Sequence, residues 1–248
     1  HLTQVRHGGL RLDSCPLSMK IFVSLISFFV FAASSHAEKH PNFIMVFIDD
    51  MGWGDLGVFG HPYIRTPSID RLAKEGQQWT DFYVPTPVCS PSRAALLTGR
   101  HPVRTGLYGV GTPVMFPGDT RGIPHSEVTL AEALKATGYR TGILGKWHLG
   151  DAPEFFPTRH GFDYWYGIPY SNDMQSKGRG DPPLPLVEQR TVIEAPADQS
   201  TLTKRYTEAA IEFITENKSK PFFVYLPHTF PHLPLFASPD FLGKSANG

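Results

Sequence analysis

The chain reads as an α/β domain, a mostly parallel sheet covered by helices on both faces. Two observations predict this. Short apolar runs of strand length alternate with amphipathic stretches of helix length, the pattern of strand–helix–strand crossovers. Polar residues also cluster directly after three separate apolar runs, and in parallel sheets ligands gather beyond the carboxyl ends of the strands.

The elements follow in order. Asn42 to Ile48 is a nearly continuous apolar run, as expected of a strand buried on both faces, and Asp49 and Asp50 end it. Thr66-Pro67 can cap and start a helix with Ile69, Leu72 and Ala73 on its apolar face and Gly76 as its stop. Trp79 to Val84 reads as a second short strand, and Pro91 starts a helix through Leu97, which puts Cys89 just before a helix N-terminus. Residues 108 to 125 are a Gly- and Pro-rich loop; Thr129 and Glu132 then have capping-box spacing for a helix carrying Leu130, Ala133 and Leu134. Tyr139 to Leu144 is the next strand, and Asp181 to Ala197 another Pro-rich loop. Leu202, Tyr206, Ala209, Ala210, Phe213 and Ile214 make a helical stripe ending near Asn217, before the strand Phe222 to Leu226.

Composition narrows the class. Lys plus Arg and Asp plus Glu number 23 each, so no overall charge favours nucleic acid or an anionic membrane. Charged residues make up only 19% while Gly and Pro each number 23, which suits a globular protein with many shaped loops. At the N-terminus, Met19-Lys20, the apolar run Ile21 to Ala33 and Ser35-His36-Ala37 form the three parts of a secretory signal peptide over residues 19–37. That run is shorter than the ~20 residues a stable membrane span needs. The expected arrangement is an upstream or untranslated leader at 1–18, the signal peptide, and a secreted or periplasmic catalytic portion at 38–248.

Removal of the leader with Cys15 makes Cys89 the single cysteine of the mature chain. It cannot form an internal disulfide. A small buried apolar residue is the ordinary fate of such a thiol. Asp49 and Asp50, past the end of a strand at a Gly52-permitted turn and with Asp55 nearby, suit a hard cation such as Ca²⁺ or Mg²⁺; isolated, such a pair is more often a solvated turn. Lys146 and His148 would share one side if their strand continued, and a cation beside an imidazole suits an anionic ester. His228 and His232 follow the Phe222 strand, His228 being equally readable as a packed residue.

Longer segments carry a family likeness. Cys89-Ser90-Pro91-Ser92-Arg93, running into Thr98-Gly99-Arg100, resembles the modification site of the type I (formylglycine-dependent) sulfatases. Gly138-Tyr139-Arg140-Thr141 through Gly145-Lys146-Trp147-His148-Leu149-Gly150 resembles their second signature, and Pro231-His232 with the segment Gly167 to Asp173 resembles two further ones. The likeness is greatest to the arylsulfatase A and N-acetylgalactosamine-6-sulfatase branch. It implies an alkaline-phosphatase-like α/β/α sandwich, and a Cys89 oxidised to formylglycine (3-oxoalanine) by a separate formylglycine-generating maturation enzyme. It implies Asp49, Asp50 and position 89 at a Ca²⁺ (or Mg²⁺) ion. Arg93, Lys146 and His148 would position the nucleophile, His232 would protonate the leaving alcohol, and Ser171 would join Lys146 and His232 in holding the sulfate. The substrate class is a sulfated small molecule or glycan.

The family also places further metal ligands and a second lysine later than the His-x-Pro segment. Gly248 comes before either, so residues 38–248 are expected to be inactive and aggregation-prone by themselves, with a sheet edge left open. Two other readings compete: phosphate or phosphonate ester hydrolysis within the same superfamily, and a degenerate protein that binds sulfate without cleaving it.

Overall fold

The computed structural model describes residues 40–108 and 113–245. The leader and signal-peptide expectations at 1–18 and 19–37 lie outside the described residues. A six-stranded sheet forms the centre, built from β1 (Phe43–Asp49), β2 (Arg140–Leu144), β3 (Tyr164–Gly167), β4 (Leu186–Glu188), β5 (Thr191–Glu194) and β6 (Phe222–Pro231). Its spatial order is β1-β6-β2-β3-β4-β5, parallel from β1 to β3 and antiparallel through β4 and β5. Among the described residues four α-helices accompany it: α1 (Pro67–Glu75), α2 (Cys89–Thr98), α3 (Leu130–Ala136) and α4 (Leu202–Asn217). Among the described residues, no helix is long and apolar enough to cross a membrane.

Period-two alternation divides the core into two layers. From β6, Phe223 and Tyr225 join Ile143, Trp165, Ala94, Leu97 and Ala131 on one face, while Phe222, Val224 and Leu226 join Leu144 and α4 on the other. Helix α4 buries Leu202, Tyr206, Ala210 and Phe213, a stripe of the expected helical spacing. Gly142 lets it come close, because a Cβ there would sit 3.0 Å from the Phe213 ring. Helix α3 starts with the expected capping box: Thr129 Oγ1 accepts the Glu132 N–H, and the Glu132 carboxylate accepts the Thr129 N–H.

Three local expectations are corrected, and one strand is added. β1 is the sheet edge, not a doubly covered strand: Phe43, Ile44 and Val46 are 43%, 54% and 55% exposed, because no described helix covers that stretch. Trp79 to Val84 forms no strand; it is exposed chain without a pairing partner, and strand propensity expresses little without one. The Pro-rich stretch after Asp181 contains the β4–β5 hairpin, turned at Gln189 with φ of 57°. β3 was not foreseen, because Tyr164–Gly167 is only four residues long, too short for a period to show.

Candidate active site

The strand ends bring the polar clusters to one edge. Asp49 is the last residue of β1, and the turn that follows is made by Asp50 itself, at a left-handed φ of 61°. Gly52, expected to make that turn, has an ordinary φ of −76°; its N–H is capped at 2.6 Å by Asp55, which is therefore occupied locally and not grouped with Asp49.

β2 ends at Leu144, but the next residues stay threaded between neighbours. The Gly145 N–H donates to Tyr166 O, Lys146 N–H to Pro227 O and Trp147 N–H to Ile168 O. Only glycine fits here: a Cβ on Gly145 would lie 2.0 Å from Pro227 O, and one on Gly167 would lie 1.8 Å from Gly145 O. The alternation breaks at His148, whose N–H bonds Pro169 O and whose φ is 60°. Lys146 and His148 are therefore near one another but do not project as strand neighbours, contrary to expectation.

The Lys146 ammonium, fully buried, donates to Asp49 Oδ2 at 2.5 Å and to Ser171 Oγ at 2.9 Å. Arg93, also fully buried, donates through Nη1 to Lys146 O at 2.7 Å. Its Nη2 stands 3.2 Å from Asp49 Oδ1 as an ion pair without hydrogen-bond geometry. Burial pulls the Asp49 carboxyl upward, but the Arg93 and Lys146 charges outweigh it and hold the pKa at about 2. Two buried cations thus face one buried carboxylate, leaving one positive charge over.

Cys89 begins α2 instead of preceding it, with Pro91 in the first turn where its missing N–H costs nothing. The thiol lies half-buried at a helix N-terminus. It lines a cavity of about 230 Å³ with Asp49 and Asp50, and a second of about 270 Å³ with Asp50, Ser171 and His232. Arg93, one turn on, lies within electrostatic reach of Cys89.

His232 Nδ1 donates to the Leu233 carbonyl at 2.6 Å. Its Nε2 is left 3.4 Å from Ser171 Oγ and 3.7 Å from Asp50 Oδ2. Lys146, Ser171 and His232 therefore form one hydrogen-bonded chain. His148 is buried, with Nε2 on the Met115 carbonyl at 2.8 Å and Nδ1 without a partner among the described residues. Burial, reinforced by the Lys146 charge, pushes its pKa well below the usual imidazole value. His228, half-buried, is near Tyr206 and joins none of these bonds.

Two supports were missed in the sequence reading. The Met115 carbonyl, which holds His148, is fixed by its own N–H on Ser90 Oγ at 3.3 Å. Tyr225, fully buried on β6, stands beside Arg93, and burial pushes its phenol up to about 12. Ser90 sits next to Cys89 in the quoted motif and was the one clue available.

The fit of the implied groups is uneven. An oxygen-rich side chain at position 89 would lie within electrostatic reach of Arg93, whose Nε and Nη2 are buried without hydrogen-bond partners among the described residues. A divalent ion is less well provided for. Both oxygens of Asp49 are taken by Lys146 and Arg93, and among the described residues no three His, Cys, Asp or Glu side chains group as a metal site. Ca²⁺ takes about six to eight oxygen ligands, so these residues alone do not complete such a centre.

Comparison with known proteins places this arrangement. The family model described as Sulfatase matches residues 41–248. Bovine (Bos taurus) arylsulfatase A is 44% identical over 237 residues, 88% of this chain and 46% of the relative. Human N-acetylgalactosamine-6-sulfatase is 42% identical over 87% of this chain and 44% of its own length. Among solved structures, the PsFucS1 sulfatase from Pseudoalteromonas sp. superposes with a TM-score of 0.72 at 30% identity, covering 93% of this chain and 51% of that one. The chain spans about half the length of the relatives it matches. The shared fold is the alkaline-phosphatase-like α/β fold expected from the motifs. Sheet topology, the strand-end cluster and identity over most of the sequence agree, and the chain belongs to the sulfatase family.

Proposed function

We propose that the protein hydrolyses sulfate esters, with residue 89 as the reacting group. The observation that carries this reading is the buried excess of positive charge: Lys146 and Arg93 against Asp49 alone, next to the cavities lined by Cys89. Such a cluster is costly without an anion to complete it. A sulfate group meets that need, and relatives named as sulfatases support the assignment.

Formylglycine made from Cys89 by a maturation enzyme supplies, once hydrated, two hydroxyls on one carbon, one to attack sulfur and one to release sulfate. The chain's own residues do the rest. Lys146 and Ser171 hold the sulfate oxygens, and Arg93 supports the negative charge that grows during attack. His148, whose Nδ1 has no hydrogen-bond partner among the described residues, is the candidate to take the proton when the second hydroxyl releases sulfate. His232, with Nδ1 fixed on Leu233 O, directs Nε2 at the leaving oxygen, to which it gives a proton.

Asp49 and Asp50 with residue 89 are the candidate ligands for Ca²⁺ or Mg²⁺, which would supply Lewis-acid polarisation of the ester; further oxygen donors beyond the described residues are needed to complete that site. The substrate class is a sulfated small molecule or glycan, and the signal-like segment at 19–37 supports a secreted or periplasmic location.

The test is turnover of an aryl sulfate and the matching aryl phosphate by the matured enzyme and its Cys89→Ala variant. The reading requires preference for sulfate and loss of turnover in the variant with its circular dichroism unchanged. Preference for phosphate selects the phosphate or phosphonate ester alternative; near-native turnover in the variant refutes the role of residue 89.

A further inference from the structure

The segment that carries residue 89 also reaches His148, by a path through the protein interior. We propose that Ser90 is a positioning residue: through the backbone of Met115 it fixes the His148 ring, so that one helix turn sets both the reacting residue and the group that takes its proton. This rests on the sulfatase reading and the role given there to His148, and deepens both by naming what orients the imidazole.

Ser90 is fully buried in the first turn of α2, directly after Cys89. Its Oγ accepts the Met115 N–H at 3.3 Å. The carbonyl of the same Met115 lies 2.8 Å from His148 Nε2. A carbonyl oxygen only accepts, so Nε2 carries the hydrogen and donates it. In the uncharged ring Nδ1 is then the nitrogen with the lone pair, and it has no partner among the described residues. Met115 thus selects the tautomer that can take a proton at Nδ1.

The His148 ring has little else to hold it. Its backbone sits at a left-handed φ of 60°, which an L side chain keeps only where its surroundings enforce it. Trp147 N–H on Ile168 O at 2.9 Å, His148 N–H on Pro169 O at 3.0 Å and Ile123 N–H on Leu149 O at 2.9 Å do so. All three fix the main chain and leave the side-chain torsions free. Among the described residues the Met115 carbonyl is the one hydrogen-bond partner of the imidazole.

The two serines that flank Pro91 have separate tasks. Ser92 turns back to the chain before residue 89: its Oγ donates to Thr86 O at 2.7 Å and lies 3.0 Å from Thr86 Oγ1. Ser90 instead reaches forward to Met115, whose own side chain is buried in the core at 4% exposure. Loss of the Ser90 oxygen strands a buried N–H on the residue whose carbonyl holds the ring, and relief of that N–H turns Met115 away from His148.

The experiment uses ¹⁵N-labelled matured enzyme with its Ser90→Ala and Ser92→Ala variants. The aldehyde at position 89 is counted by mass and rates are expressed per aldehyde, so that a maturation defect does not enter the comparison. In the unsubstituted enzyme the ¹⁵N shifts of His148, identified by their loss in His148→Gln, should show hydrogen on Nε2. A ring protonated on Nδ1 alone overturns the proposal, whether or not Ser90→Ala folds. In Ser90→Ala the Nε2–H should exchange with solvent about tenfold faster or more. The neighbouring Trp147 Nε1–H, which donates to Phe155 O at 2.9 Å, should keep its shift, as a selective effect requires. Ser92→Ala should leave the His148 signal where it was. With an aryl sulfate, Ser90→Ala should lose about three- to tenfold in kcat with KM little changed, the size of one neutral hydrogen bond. An unchanged His148 signal in Ser90→Ala, an equal change in both serine variants, or a loss carried by KM overturns the proposal. Failure of the unsubstituted enzyme to cleave any sulfate ester refutes the sulfatase reading, while the His148 signals still decide what positions the ring.

Discussion

On the α4 side of the sheet, β6 and β1 run parallel in direct register, yet their neighbouring side chains have opposite fates. Val224 is fully buried while its partner Ile44 is 54% exposed, and Leu226 is 8% exposed beside Val46 at 55%. Helix α4 covers β6, β2 and β3 and stops short of β1. On the opposite face β1 is better held, with Met45 and Phe47 packed on the core. The two candidate acids Asp49 and Asp50 thus hang from the least covered strand, whereas Lys146 extends from one of the best covered. At the end of β1 the Asp49 ion pairs with Lys146 and Arg93 add to the β6 ladder, so the chemistry-bearing residues also contribute to holding the fold there.

The comparison breaks most sharply at Asp49. Asp49→Asn leaves Lys146 and Arg93 buried without their counter-charge, and urea unfolding should show a loss of about 3–5 kcal/mol. A loss under about 1 kcal/mol would mean the ion pairs do not secure the strand. Next come paired truncations. Leu144→Ala on the covered β2 should cost about 2–5 kcal/mol by cavity formation, and Ile44→Ala on the open face of β1 a fraction of that. Equal costs would show that β1 is covered in solution.

Acid sharpens the contrast from the covered side. His160 is buried with neither ring nitrogen partnered among the described residues, stacked 5.0 Å from His125 and 6.0 Å from Trp147. Burial, then the nearby His125, lowers its pKa to about 4. The unfolded chain binds this proton more readily, so stability falls as pH drops from about 6.5 to about 4, by about 3 kcal/mol in all. His160→Phe should flatten that slope. Asp49 acts in a lower window: its folded pKa of about 2 contributes stability above about 4 that is lost as pH falls toward 2. The smallest effect belongs to the open edge. Val46→Lys should leave stability within about 0.5 kcal/mol yet reduce self-association in sedimentation, because a charge on an edge strand discourages pairing with another chain.

Much of the fold was readable because α4, β2 and β6 have periodic patterns that match their burial. β1 misled because an apolar run reports what a strand can bury, not what the described elements supply to bury it. The β4–β5 hairpin escaped because strands of three and four residues are too short for a period to emerge among prolines. At the site, the meeting of Asp49, Lys146 and His232 followed from strand ends alone. The break in alternation at His148 and the turn at Asp50 did not, since a positive φ at a non-glycine residue leaves no mark in sequence. Met115 acts through its carbonyl, which no side-chain motif reveals.

The most direct test of the central claim is mass analysis of the tryptic peptide Glu75 to Arg93, taken from protein matured in a host that has the formylglycine-generating enzyme. The account predicts the aldehyde at position 89. A peptide carrying only the intact Cys89 thiol would contradict it.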